Sequence, residues 1–215
     1  MNITTRLLSL LVLSLSLMLS PTVSGAQRQY PLEFQLMPLT QSVRRNQSVS
    51  SGTPTSTNGT LKGVEMSVLA PTGIGLFGRY LSGNLTGPKK PMVAEGGLAL
   101  GDKSFKIELG YSERLFIPDD STIRFARGGM NIATFLGTSG VAVRLRGGYY
   151  ASLERFKNDK KAPDGWQGET AVSYTWDRVP VFAELGYRLD VLRSERADEQ
   201  VSALTFGIGV WFWSR

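Results

Sequence analysis

Apolar and polar residues alternate at period 2 along most of the chain past residue 26, in runs bounded by Gly, Pro, Asn, Asp and Ser. The pattern is plainest at residues 204–213 (LTFGIGVWFW). One face carries Leu204, Phe206, Ile208, Val210 and Phe212, and the other Thr205, Gly207, Gly209, Trp211 and Trp213. Glycines on a face that a soluble sheet would pack are unusual. Apolar residues facing out and small or polar residues facing in are what a lipid-embedded barrel requires.

The alternation recurs at residues 179–189, 166–176, 141–153 and 105–111, and more weakly at 62–69, 73–81, 93–100 and 122–136. In the last of these the phase slips at Gly128-Gly129, which reads as a β-bulge. Short connections (70–72, 101–103, 137–140, 177–178) alternate with longer polar ones (82–92, 112–121, 154–165, 190–200). Outer-membrane barrels combine short periplasmic turns with longer external loops in this way. Parity then asks for one more strand, at residues 30–39 (YPLEFQLMPL), with the polar stretch 40–59 as the first external loop. The predicted fold is an all-β, antiparallel, up-and-down transmembrane barrel of ten strands. Eight is the runner-up, because Pro31 and Pro38 interrupt the first strand.

Aromatic residues fall near predicted strand ends: Trp176, Trp211, Phe212 and Trp213 at the periplasmic side, Tyr111, Tyr149, Trp166 and Tyr187 at the external side. Two such girdles mark membrane interfaces. A soluble lipocalin-like barrel has the same periodicity with the faces exchanged. The N-terminus favours the membrane alternative. A single positive charge in residues 1–6, the apolar run 7–19 and small residues Ser24 and Ala26 form a secretory signal peptide, with cleavage near Ala26. Residues 1–26 are thus expected to be removed and 27–215 to form the barrel.

With the signal peptide, the amphipathic repeats and the segment 206–212 (FGIGVWF), the chain resembles the small outer-membrane β-barrel proteins of Gram-negative bacteria, the opacity-protein and small-porin-like group. The resemblance is architectural. It implies residence in the cell outer membrane, contact with lipid and lipopolysaccharide, and recognition of Phe206, Ile208, Val210 and Phe212 by the barrel-assembly machinery. The chain ends Trp213-Ser214-Arg215, where such proteins usually end in an aromatic residue.

With the apolar faces outward, the inward ionisable set is Glu65, Arg79, Glu95, Lys106, Glu108, Arg124, Arg144, Arg146, Glu169, Glu184 and Arg188. Acids and bases nearly balance, and a small barrel's interior is filled by side chains. Unpaired burial costs several kcal/mol per ion, so a mutually paired plug is expected. The alternative is a narrow anion-preferring channel lined by Arg79, Lys106, Arg144, Arg146 and Arg188. A structural or surface-adhesive role follows from the first arrangement, transport from the second.

Composition narrows the chemistry. The chain has no Cys and no His. Disulfides, thiolates, Cys-based metal sites and imidazole acid–base catalysis are therefore absent. Asp119-Asp120 follows Pro118 and reads as a solvated turn. No enzyme activity, cofactor or metal is expected. Residues 73–78 (GIGLFG) match a dinucleotide fingerprint but lack the strand before and helix after that its phosphate site needs. Sequons at Asn46, Asn58 and Asn84 read as ordinary polar sequence. Lys89 and Lys90, with Arg155, Lys157, Lys160 and Lys161, put positive charge in two predicted external loops. The net charge of +6 is dispersed, without a stacking platform, so nucleic acid is not an expected partner.

Overall fold

A computed structural model describes residues 32–49, 53–85, 92–116, 121–154, 162–177, 179–195 and 197–213. The signal peptide lies outside the described residues, as do Asp119-Asp120 and the six basic loop residues Lys89, Lys90, Arg155, Lys157, Lys160 and Lys161.

Ten strands follow one another: β1 (Glu33–Val49), β2 (Thr55–Leu69), β3 (Ile74–Leu85), β4 (Met92–Gly101), β5 (Phe105–Phe116), β6 (Ser121–Phe135), β7 (Val141–Ser152), β8 (Asp164–Thr175), β9 (Val181–Arg193) and β10 (Ala197–Trp213). Each pairs antiparallel with its sequence neighbours, and β1 pairs with β10 to close the barrel. Closure removes the exposed edges that a ten-strand open sheet would present. Following paired residues from Glu33 around the wall returns to β1 at Arg45, a shear of twelve residues. For ten strands this corresponds to a tilt of about 40°.

The two faces of the wall are opposite in chemistry. Leu76, Leu145, Leu185, Phe206 and Ile208 point outward and are each more than half exposed, whereas Arg79, Arg188 and Glu169 are buried. A water-soluble barrel would show the reverse. The soluble, lipocalin-like alternative is thereby excluded. The outer apolar belt is rimmed by Tyr80, Tyr111, Tyr149 and Trp166 at one level, and by Tyr174 and Trp176 toward the end that bears Glu33 and Trp213.

Turns at that end are tight. Gly73 (φ 79°) donates its N–H to the Ala70 carbonyl at 2.9 Å. The Asp102 carboxylate accepts the N–H groups of Ser104 and Phe105 at 2.7 and 2.9 Å, an Asx-type turn. The dinucleotide-like run 73–78 is this turn followed by β3.

At the opposite end the strands outrun the expected boundaries. The segment 40–59, expected as a loop, is mostly strand: β1 continues to Val49 and β2 begins at Thr55. The longer connections are likewise shortened, since β5 reaches Phe116, β9 reaches Arg193 and β10 starts at Ala197. The alternation persists there but changes meaning. Thr40, Ser42 and Arg44 face water, while Leu39 and Val43 fill the interior.

The same inversion removes the expected bulge. β6 keeps one register with both neighbours through Gly128 and Gly129. Ile123 and Phe125 point inward, packing with Tyr150, Leu192 and Ala197. The apolar residues change sides where the strand leaves the lipid, and the backbone phase does not slip. Arg124, expected inside, consequently points outward; its side chain is 57% exposed. Trp211, expected in a girdle, lies on the inward face and stacks on Phe135 with ring centroids 6.0 Å apart.

Candidate functional site: the charged interior

The barrel interior divides lengthwise. On the β1–β3 and β9–β10 side, Met37, Leu39, Val43, Leu61, Leu81, Phe182 and Ala203 pack as an apolar cluster. The ionisable residues occupy the other inward positions, and every strand supplies at least one of them.

Four ion pairs cross the lumen between strands five apart in the ring, that is, between opposite walls; the longest joins Arg146 Nη1 on β7 to Glu65 Oε1 on β2 at 3.4 Å. Arg79 on β3 donates from Nη1 to Glu169 Oε2 on β8 at 2.9 Å. Arg144 on β7 donates from Nη1 to Glu65 Oε1 on β2 at 3.2 Å. Arg188 on β9 donates from Nη2 to Glu95 Oε1 on β4 at 2.7 Å. Arg and Glu are long enough to meet across a ten-strand barrel, which shorter pairs are not.

Around these struts most of the remaining charges find further partners, although Arg144 Nε and the three guanidinium nitrogens of Arg127 are buried without a hydrogen bond. Arg79 also donates from Nε to Glu65 at 2.7 Å. Arg144 reaches Glu169 at 2.9 Å and Glu184 at 2.5 Å. Arg146 donates from Nε to Glu108 at 2.8 Å, and Arg127 pairs with the same carboxylate at 2.8 Å. The guanidinium carbons of Arg127 and Arg146 lie 5.0 and 5.5 Å from the Phe77 ring centroid, within cation–π range.

A second group sits toward the end away from the termini. Glu95 accepts from Arg114 and Arg188, with the fully buried Tyr150 hydroxyl 3.0 Å away. The same hydroxyl contacts Gln167, and the Arg114 guanidinium stacks 4.2 Å above the Tyr150 ring. Asp190 takes Arg188 at 2.8 Å and Arg114 at 3.3 Å. Farther out, Arg45 and Glu199 pair at 2.6 Å; Gln41 donates to Thr205 at 2.9 Å, nearer the termini than Arg188 and Asp190 in the register. Nearest the termini, Lys106 and Glu33 are 3.8 Å apart.

Ten of the eleven residues assigned inward from the sequence face the lumen; Arg124 does not, and pairs outside with Glu154 at 3.6 Å. The structure adds Glu33, Arg45, Arg114, Arg127, Asp190 and Glu199. Five of the six lie toward strand ends, in stretches assigned to loops or to the interrupted first strand; Arg127 lies in the middle of β6, next to the expected bulge. Extending each period-2 run by several residues would have found most of them.

Among the described residues the strands carry eight inward carboxylates (Glu33, Glu65, Glu95, Glu108, Glu169, Glu184, Asp190, Glu199) and eight inward cations (Arg45, Arg79, Lys106, Arg114, Arg127, Arg144, Arg146, Arg188). Every one lies within 4.0 Å of an opposite charge. A cavity of about 90 Å³ near the termini and another of about 50 Å³ near the far end share no lining residue. Arg79, Glu95 and Glu169 line neither.

Compared by sequence, the chain matches no protein-family model and no curated protein. By fold it is similar to Neisserial surface protein A (14% identity, 82% of this chain and 96% of that one, TM-score 0.41). It is also similar to the outer membrane protease OmpT from Escherichia coli (10% identity, 89% and 99%, TM-score 0.45). A third is an outer membrane channel from Pseudomonas putida F1 (10% identity, 88% and 100%, TM-score 0.41). The chain's own architecture, a closed ten-strand antiparallel barrel with apolar residues outside and charges within, is that of the small outer-membrane β-barrels.

Proposed function

We propose that this chain serves a structural or surface-adhesive role in the outer membrane, with a lumen held shut by its charge-paired network, and that it is not an enzyme. The observation that carries this reading is the saturation of the lumen charges, eight against eight and all paired. An ion path needs charge left over to attract and pass an ion; a conducting constriction shows an excess of one sign. Arg79, Lys106, Arg144, Arg146 and Arg188, the cations of an anion path, each have a carboxylate partner. On this reading the end bearing Glu33 and Trp213 is periplasmic. The polar strand extensions stand outside the cell, where they form the contact surface.

The experiment is planar-bilayer conductance of the refolded chain beside Arg144→Ala/Arg146→Ala. A membrane-inserted, silent wild-type protein is the expected result. Steady anion-selective current that drops in the variant would make this a narrow channel instead. The secretory signal and the assembly signal at Phe206, Ile208, Val210 and Phe212 belong to the same proposal. Phe206, Ile208 and Phe212 lie on the lipid face, each about half exposed.

A further inference from the structure

The outward face is not uniform around the barrel. With a rise of about 3.3 Å per residue and a tilt of about 40°, each residue climbs about 2.5 Å along the axis. The outward apolar run ends at Pro38 on β1 and Val64 on β2, about 13–16 Å above the level of Glu33; on β9 it reaches Val191, about 27 Å up. Where the belt is lowest, Thr40 and Ser42 on β1 stand opposite Lys62 and Thr60 on β2, and Thr60 stands opposite Asn84 on β3. Arg44 continues the β1 row. A hollow lined by Thr60, Lys62 and Asn84 runs between β2 and β3.

Charge sets this wall apart. No carboxylate stands on the outward face of β1, β2 or β3 among the described residues, so Arg44 and Lys62 are exposed and unmatched there. Above the belt on the other side the cations are balanced: Arg124 pairs with Glu154 at 3.6 Å, and Arg193 stands opposite Asp164 in the register. Lys62 begins at the level of the Tyr80–Tyr111–Tyr149 girdle, which is where lipid headgroups sit.

We infer that the outward wall of β1–β3 binds the phosphorylated sugar headgroup of an outer-leaflet glycolipid, a lipopolysaccharide, through Lys62 and Arg44. This rests on the outer-membrane reading above. The two cations take phosphates as charge-assisted partners. The intervening hydroxyls and the Asn84 amide donate to and accept from sugar hydroxyls. Arg44 is four residues beyond the position opposite Lys62, a separation of about 14 Å, which a disaccharide phosphorylated at both ends spans. Acyl chains of the same molecule descend over Val64, Met66 and Leu36.

The test is native mass spectrometry of the refolded full chain in detergent with bisphosphorylated lipid A, fully dephosphorylated lipid A or phosphatidylglycerol. Heat-modifiable gel mobility and vesicle insertion report folding separately. Wild type is expected to retain one bisphosphorylated lipid A, with both other lipids at least tenfold weaker. Arg44→Glu/Lys62→Glu loses retention at least tenfold; Arg44→Lys/Lys62→Arg and Arg124→Glu keep it. If the charge reversal blocks folding, Arg44→Ser/Lys62→Ser takes its place with the same expected loss. Undiminished retention in the reversed variant overturns the site. So does equal retention of phosphatidylglycerol, which would mean unspecific anion attraction, or a doubled mass sensitive to the same substitutions, which would mean a second copy covers the wall. A chain that does not enter vesicles at all fails the outer-membrane reading; one that inserts and binds all lipids alike fails only this inference.

Discussion

Arg79 on β3 and Glu169 on β8 stand on diametrically opposite walls of the barrel and meet at 2.9 Å, both side chains almost completely buried. Glu65 on β2 completes the contact by accepting from Arg79 Nε. The pair ties together strands that share no backbone hydrogen bond, so it braces the cross-section in a direction the sheet itself does not.

Removing one member of such a pair leaves the other charge desolvated and uncompensated. Arg79→Ala is therefore expected to cost about 3–5 kcal/mol of folding stability. Arg79→Ala/Glu169→Ala should cost less than the sum of the two single changes, with a coupling of about 0.5–3 kcal/mol. Urea titration in detergent micelles, followed by Trp fluorescence, measures both. Additive losses would mean the two side chains do not meet.

The Tyr150 hydroxyl touches Glu95, Gln167, Arg114 and Arg188. Tyr150→Phe keeps the ring that packs on Phe125, with centroids 5.9 Å apart, and deletes only the polar hub. The expected loss is about 1–3 kcal/mol in the same titration. Near-ultraviolet dichroism should otherwise stay native-like.

Arg124 and Arg127 show what the alternation revealed and what it concealed. Within the lipid belt, period 2 with apolar residues outward identified every strand and placed ten lumen residues. Beyond the belt, water lies outside and the apolar residues turn inward, as Ile123 and Phe125 do on β6. A rule calibrated on the belt then assigns the wrong face, exchanging Arg124 for Arg127, or ends the strand too soon, leaving Arg45, Arg114 and Asp190 in loops. Pairing partners were beyond reach for a different reason. Which Arg meets which Glu depends on the shear, and the shear is a property of the closed ring. Arg124→Ala is accordingly expected to change stability by less than about 0.5 kcal/mol, as for exposed ion pairs, whereas Arg127→Ala should cost several times more.

Glycines on the two faces have different tasks. A Cβ on inward Gly97 would fall 2.2 Å from the Leu109 carbonyl oxygen, where β4 and β5 approach closely; one on outward Gly168 meets nothing nearer than the Trp166 ring at 3.8 Å. Gly97→Ala should reduce the heat-modifiable folded fraction sharply, and Gly168→Ala should leave it unchanged. Comparable losses from both would place the close approach elsewhere.

The sidedness of the wall can be measured along a single strand. Ile208 and Phe212 both point outward from β10, but Ile208 lies near mid-belt and Phe212 at the terminal rim. A lysine at mid-belt must be desolvated in hydrocarbon, while one at the rim can extend its ammonium to water. Ile208→Lys is expected to lower insertion stability by about 2–4 kcal/mol and Phe212→Lys by no more than about 1 kcal/mol. Reversible unfolding from lipid vesicles reads the difference. In a barrel surrounded by water, both lysines would be solvated and neither would carry that penalty, so the gap between the two values reports the lipid directly.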